Sequence, residues 1–377
     1  MIQESDFGLY SAKLTDYIRR RANDWEGTSA ARNEFNQLSL NLFRLQFESV
    51  SPYRFFCQNR GCDPSRLVRW EDIPALPAVA FKESEITSLP EELRTHVFHS
   101  SGTTGREAAR HHHNRQTLEL YEASLLHWFE AHLLPSGAEE SATLRLVSLT
   151  PPARLAPNSS LVHMFEAVAR TFPWASHQFT ATVDSGGNWR LDLPAIEELL
   201  KLASCDGCPV VLLGTAFSYV NLLDFLENHG QQFLLPPKSR ALETGGYKGK
   251  SREMPKLDLH AWMRHRLGLT ECQIVGEYGM SELSSQAYGH VAGGNDRGPA
   301  SRRFKFPPWA RARVFSPETG LEAAPGEAGL LTILDLANVR SCLAIQTEDL
   351  AAAEPDGFRI LGRAPQAQPR GCSLMSA

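Results

Sequence analysis

His99-Ser100-Ser101-Gly102-Thr103-Thr104-Gly105 is the stretch on which the fold is decided. Four hydroxyl residues and two glycines fill positions 100–105. Glycine accepts the left-handed dihedrals and close approaches that a Cβ resists. Successive backbone N–H groups in such a turn form an anion nest, and the hydroxyls add donors of their own. A phosphate is the guest that chemistry suits. The run is not a Walker loop, because the G-x-x-x-x-G-K-[ST] spacing and its lysine are missing. Taken alone, it also reads as a Ser/Gly surface loop.

Working outward, the upstream chain reads as helical over 11–21 and about 29–48, with Phe35, Leu38, Leu42 and Leu45 forming one apolar stripe. Pro52 is expected to stop the second helix. A proline-punctuated lead-in, Ile73-Pro74-Ala75-Leu76-Pro77 through Phe81-Lys82, runs on to the loop. His111-His112-His113 reads as a solvated helix start, ahead of a helix from about Asn114 to Leu133. Downstream, apolar runs at Leu144–Leu149, Pro209–Thr215, Ser239–Glu243 and Gln273–Val275 alternate with helical stretches at about 160–171, to 228, and 257–267. Strand, tight turn and helix in that order predict a parallel sheet with helical crossovers. Such sheets bind ligands beyond the carboxyl ends of their strands. From about Ala310 the pattern becomes an antiparallel meander: Arg311–Phe315, Gly329–Leu334, Cys342–Gln346 and Phe358–Leu361.

The composition is that of a large globular chain: 377 residues, 42% hydrophobic, net charge −5. The acidity argues against a dedicated nucleic-acid binder. No apolar run approaches the length of a membrane span, about 18 residues or more. The acidic start, Met1–Asp6, has no apolar signal core. The expectation is a soluble cytoplasmic protein. Seven scattered cysteines fit reduced thiols. The lone Cys205-Asp206-Gly207-Cys208 lacks the second ligand pair that a zinc site needs.

Three polar turns follow apolar strands: Ser100–Gly105, Gly245-Gly246-Tyr247 and Tyr278-Gly279-Met280-Ser281-Glu282. Thr347-Glu348-Asp349 and Gly362-Arg363 come after them. This ordered set resembles the adenylate-forming enzymes, the acyl-CoA synthetase and luciferase superfamily. In detail the chain resembles the acyl-protein synthetase family typified by LuxE of bacterial bioluminescence operons. The lead-in, Ser-Ser-Gly-Thr-Thr-Gly and the terminal Arg370-Gly371-Cys372-Ser373-Leu374 carry that likeness. It implies an α/β adenylate-forming large domain of parallel sheets and helices, plus a C-terminal antiparallel β subdomain. The small C-terminal domain of the superfamily, with its lysine, is expected to be largely missing. The implied divisions are a mostly helical leader over 1–95, an α/β core over 96–305, a β-rich subdomain over 306–362 and a mobile tail over 363–377.

The resemblance also implies a chemistry. A carboxylate is a poor acyl donor, since its leaving group would be oxide; attack on the α-phosphate of ATP converts it into a mixed anhydride. That step brings anions together and needs alignment and charge neutralisation. Ser100, Ser101, Gly102, Thr103, Thr104 and Gly105 would hold the phosphates, with Arg106 or Arg110 in place of the family's usual loop lysine. Glu282 would hold Mg²⁺, an ion that suits oxygen ligands. Asp349 would accept the ribose hydroxyls, and Arg363 would reach ribose or phosphate. Gly245, Gly246 and Tyr247 would flank adenine, and Tyr278, followed by Gly279, Met280 and Ser281, would stack on it. Cys372 would take the acyl group as a thioester, for delivery to an acyl reductase. Phe217, Tyr219 and His163 are candidates to line an acid pocket. A truncated aryl or acyl ligase that delivers to CoA or a carrier protein, and a non-catalytic nucleotide-binding protein, are the alternatives.

Overall fold

The structure, a computed structural model, describes residues 3–22, 28–100, 108–245, 254–294 and 303–364. Three helices open it: α1 (Glu4–Arg21), α2 (Ser29–Ser49) and α3 (Ser51–Asn59). Thr28 caps α2 by accepting the Ala31 N–H, and Phe35, Leu38, Leu42 and Phe43 bury its inner stripe. Pro52 does not stop α2. It lies in the first turn of α3, where a missing N–H is no loss.

The lead-in then forms a short strand, β1 (Leu76–Pro77), and a one-turn helix, α4 (Ala80–Glu83). Strands β2 (His96–His99) and β3 (Arg110–His113) pair antiparallel across the hydroxyl loop. The histidine run is thus not the helix start expected. Strand alternation turns His111 and His113 inward, where both are buried. The pairing that makes it a strand comes from residues 96–99, on the far side of the loop.

Helix α5 (Arg115–Leu133) follows, capped by Asn114, which accepts the Thr117 N–H. After it come β4 (Arg145–Ser148), α6 (Ser160–Thr171), β5 (Ser176–Phe179), the hairpin β6 (Ala181–Val183) and β7 (Trp189–Leu191), and α7 (Leu193–Asp206). The chain continues through β8 (Val210–Thr215), α8 (Ala216–Asn228), β9 (Arg240–Thr244), α9 (Lys256–Leu267), β10 (Ile274–Tyr278) and β11 (Ala287–Tyr288). These strands make a six-stranded sheet in the order β11-β10-β9-β8-β4-β5, parallel throughout except for β11. Its apolar residues alternate between two cores. Val147, Leu212, Ala241 and Ile274 pack with α7, α8 and α9 on one face. Leu146, Leu213, Leu242 and Val275 pack with α5 and α6 on the other. Burial on both faces is what a parallel sheet between helical layers requires.

The last strands, β12 (Ala310–Phe315), β13 (Ala328–Asp335), β14 (Ala344–Glu354) and β15 (Gly357–Arg363), form the antiparallel meander. β1 joins it in parallel with β14, pairing Leu76 with Ile345 and Pro77 with Gln346. The N-terminal lead-in is therefore a structural part of the C-terminal sheet.

Candidate active site

The parallel strands β9 and β10 end side by side, with Thr244 paired to Glu277. The Glu277 carboxyl is buried, and the Thr244 hydroxyl donates to it. Burial, reinforced by the Glu243 charge, pushes Glu277 up to about 7. A Cβ at Gly279 would lie 2.5 Å from Glu277 Oε1, so a side chain after Tyr278 would have to displace that carboxyl oxygen. Strand alternation sends Tyr278 to the other face. Its ring meets Phe304, Phe306 and Phe358, with centroids 6.1, 6.3 and 5.5 Å away. Its hydroxyl donates to Asp349 Oδ2 at 2.8 Å. Burial and the Asp349 charge hold that phenol protonated.

Asp349 is aimed at this point by an irregularity in β14. The partners of β13 step from Leu330–Leu350 directly to Thr332–Gln346, so residues 347–349 bulge out of the ladder. Bulges of this kind re-aim side chains. The Thr347 hydroxyl fixes the bulge, donating to the Leu331 carbonyl at 2.9 Å and accepting the Asp349 N–H at 3.1 Å. That pair of hydrogen bonds is the physical content of the T-x-D spacing. A second bulge lies between β14 and β15, where Leu350 pairs with Gly362 but Ala351 pairs with Ile360. Gly362 takes φ +136, a conformation that favours glycine. Arg363 is thereby set opposite Asp349, with Nε 3.7 Å from Oδ1.

Glu282 is buried four residues beyond Tyr278. Its Oε2 accepts the Ser281 hydroxyl at 3.0 Å. Burial raises its pKa, opposed in part by hydrogen bonds from its own backbone and from Ser281. Its turn is held from three sides. His111 Nδ1 bonds the Ser281 carbonyl at 3.0 Å, and Nε2 faces the Ser341 hydroxyl at 3.0 Å. A carbonyl only accepts, so Nδ1 carries the proton and Nε2 accepts; burial keeps the ring neutral by pushing it down to about 4. Asn338 donates to the Glu282 carbonyl at 2.8 Å. Behind the turn, Trp309 donates to Ser124, Ser124 to Ser285 and Ser285 to Asp335. Asp335 also accepts the Ser284 and Ala337 N–H groups.

The residues named from the sequence are thus distributed unevenly. Tyr278, Asp349 and Arg363 meet, and Glu282 lies four residues beyond Tyr278. Gly279, Met280 and Ser281 form the turn between them. Ser100 closes the base of the hydroxyl loop: its N–H donates to the Ala109 carbonyl, and its Oγ accepts the Ala109 N–H at 2.9 Å. His111 pins that hairpin to the Glu282 turn. Gly245 ends β9 with φ +70. Ser101, Gly102, Thr103, Thr104, Gly105, Arg106, Gly246, Tyr247 and Cys372 lie outside the described residues. Tyr219 is a core residue whose hydroxyl bonds the Leu212 and Leu242 carbonyls. His163 pairs with Glu122 at 3.0 Å. The supporting residues His111, Asn338 and Ser341 carry no motif; two-residue alternation over 111–113 was the one available signal for His111.

Among the described residues Glu282 has no ion-pair partner, although it is buried and carboxylates are seldom buried unpaired. It therefore fits a divalent cation. No three His, Cys, Asp or Glu side chains cluster around a metal position among the described residues. A cation at Glu282 would complete its shell with phosphate and water oxygens, as Mg²⁺ commonly does. No described helix is long and apolar enough to cross a membrane.

Known proteins share this architecture. The structure of 2-hydroxyisobutyryl-CoA ligase in its postadenylation state, in complex with 2-HIB-AMP, matches with a TM-score of 0.64 at 13% identity, over 92% of this chain and 70% of that one. An open conformation of the same enzyme with 2-HIB-AMP and CoA matches with a TM-score of 0.64 at 14% identity, over 92% and 77%. The fold is that of the adenylate-forming ligases. Two curated sequences are similar along most of their length, each called a long-chain-fatty-acid–luciferin-component ligase. The one from Aliivibrio fischeri is 22% identical over 354 residues, 91% of this chain and 87% of that protein. The one from Vibrio harveyi is 22% identical over 357 residues, 90% and 86%. The family model described as acyl-protein synthetase, LuxE, matches residues 21–377, and the chain belongs to that family.

Proposed function

We propose that this chain is an ATP-dependent acyl-protein synthetase. It activates a long-chain fatty acid, or a related carboxylic acid, as the acyl-adenylate. It then transfers the acyl group to the Cys372 thiol, for delivery to an acyl reductase. The observation that carries the reading is the meeting of Tyr278, Asp349 and Arg363, with Tyr278 at the head of the turn that carries buried Glu282. These residues come from three separated turns, and together they offer an aromatic face, an acceptor for ribose hydroxyls, a guanidinium for phosphate and a carboxylate for Mg²⁺. The family membership and the names of the two relatives support the acid and the accepting protein. Ser100 to Gly105 would cradle the outer phosphates, with Gly245, Gly246 and Tyr247 beside the base.

In the first step a carboxylate oxygen attacks the α-phosphorus, and the bond to the β-phosphate breaks with its electron pair leaving on pyrophosphate. In the second, the Cys372 sulfur attacks the acyl carbonyl, AMP departs and the thiol proton passes to solvent. Mg²⁺ bound at Glu282 would supply charge neutralisation to the phosphates. The test combines ATP–pyrophosphate exchange over fatty and aryl acids with acyl labelling. Glu282→Ala abolishes exchange. Cys372→Ser keeps exchange and loses the hydroxylamine-labile acyl label. Near-normal exchange in the first variant, or persistent label in the second, refutes the assigned role. Release of acyl-CoA without protein label would favour the ligase alternative.

A further inference from the structure

The two faces of the strand pair β9 and β10 end differently. On the face away from Glu277, Glu243 of β9 lies beside Gly276 of β10. A Cβ at Gly276 would lie 2.9 Å from Lys256 Nζ and 3.4 Å from Phe304 Cζ, so the end of the lysine fills the place where a side chain would be. Lys256 is the first residue of α9, the helix between these two strands. Two contacts hold it there. Its ammonium is 2.9 Å from Glu243 Oε2, a buried carboxylate that His260 Nε2 approaches at 3.3 Å from the next turn of α9. The ammonium also lies 5.1 Å from the centroid of the Phe304 ring, close enough to be attracted to its face. Phe304 belongs to the aromatic group around Tyr278, its ring 6.1 Å from that of the tyrosine. Glu243 needs a cation because it is only 3% exposed, yet the Lys256 side chain stays 44% exposed. An ammonium has three donors, and the carboxylate takes one. No role falls to Lys256 in the function proposed above.

We propose that Lys256 reads the nucleotide base: its ammonium donates to a ring nitrogen of adenine, N1 or N7, on the edge away from the sugar. The inference rests on the function proposed above, which stacks adenine on Tyr278, and it adds a specificity-determining residue to that site. The direction follows from the tyrosine. Its hydroxyl end is at Asp349, the proposed ribose acceptor, and its backbone end is on β10. A base lying along the ring with its sugar at Asp349 turns its far edge toward the strand. Gly276 is two residues back on the same face, about 7 Å along β10. The far edge of adenine carries the 6-amino group flanked by two acceptors, N1 and N7, and an ammonium on the strand side meets an acceptor. Glu243 and His260 are buried and act through the lysine, as positioning residues. The glycine at 276 is what leaves room for the ammonium.

The test is isothermal titration calorimetry of the full chain with ATP, 1-deaza-ATP and 7-deaza-ATP, each with Mg²⁺. Each analogue replaces one acceptor nitrogen by C–H. In the unaltered chain one of the two binds about tenfold or more weaker than ATP, the size of a hydrogen bond from a charged donor. In Lys256→Met, ATP itself weakens by a similar factor and that analogue binds within about twofold of ATP. Lys256→Arg, which keeps both a donor and a cation for Glu243, still prefers ATP. Each preference is a ratio taken within one protein, so a smaller folded fraction lowers the stoichiometry and leaves the ratio unchanged. Binding of both analogues within about threefold of ATP by the unaltered chain overturns the assignment. So does a preference that persists in full in Lys256→Met, which would mark the lysine as a structural partner of Glu243 alone. The function proposed above fails separately. ATP binding with the expected pattern, but no pyrophosphate exchange with any acid, would refute adenylation and leave the base contact standing. No binding of ATP by the unaltered chain would sink both.

Discussion

Replacing Glu277 by glutamine gives a stability difference whose size follows from the structure. Glu277 is buried beneath the site, accepts the Thr244 hydroxyl and is pushed up to about 7 from an ordinary 4.5. A carboxyl whose folded pKa is raised binds its proton more tightly when folded. Its contribution to stability is therefore complete below the unfolded value and fades as pH rises through the folded one. At about 1.4 kcal/mol per unit, the separation between 4.5 and about 7 is worth about 3 kcal/mol. Glutamine has nearly the same shape, can still accept from Thr244 and does not titrate. The assay is urea unfolding of both proteins across this range. The unaltered chain loses about 3 kcal/mol relative to Glu277→Gln between about pH 4.5 and pH 7.5, and the difference is level above that. Asp335, held up to about 6, titrates in both proteins and cancels. A difference that stays constant with pH would mean that Glu277 is solvated, or is ionised at no cost, in the folded chain.

Two further substitutions probe the supports of the site. Tyr278→Phe removes the donor to Asp349 and leaves Arg363, at 3.7 Å, as its remaining partner. At about 1 kcal/mol for such a bond, KM for ATP in the exchange assay rises about fivefold while kcat changes little; an unchanged KM would separate Asp349 from nucleotide binding. Gln46→Leu removes a buried amide that donates to the Asn338 and Val339 carbonyls and accepts the Leu343 N–H. Three stranded backbone groups make about 3 kcal/mol of destabilisation the expected reading in urea melts, and a change below about 0.5 kcal/mol would mean that water replaces the amide without cost.

The alternation of strand, turn and helix over 144–278 was legible because each of the four inner parallel strands, β4, β8, β9 and β10, is a buried run ending at a polar turn. Helix α6 has the limits its sequence implies, Ser160–Thr171. The edge of the same sheet was not legible. β5, Ser-His-Gln-Phe, exposes three of its four side chains, with Phe179 packed against the core, and is joined to the sheet by pairing with β4, so little in its side chains announces a strand. His111 and His113 were misread for a related reason. Their strand exists because residues 96–99 return across the hydroxyl loop, a pairing that no local pattern encodes.

The site shows the same division between chemistry and position. Glu282, Tyr278, Asp349 and Arg363 were nameable because their residue types and order resemble a family's. What brings them together is written elsewhere, in pieces that carry no motif. Asp349 turns inward because Thr347 spends its hydroxyl on Leu331, and Arg363 meets it because Gly362 permits an extra residue in β15. Glu282 is buried because His111, Asn338 and the Asp335 network hold its turn from separate elements. Thr347, His111, Asn338 and Asp335 are buried polar side chains that hydrogen-bond backbone groups, and such a side chain left unpaired would cost stability outright. The fold therefore has its own reason to keep them. A variant of His111 or Asn338 would lose stability and activity together, whereas Tyr278→Phe is expected to change nucleotide affinity with little effect on folding. That contrast separates the residues that touch ATP from those that hold them in place.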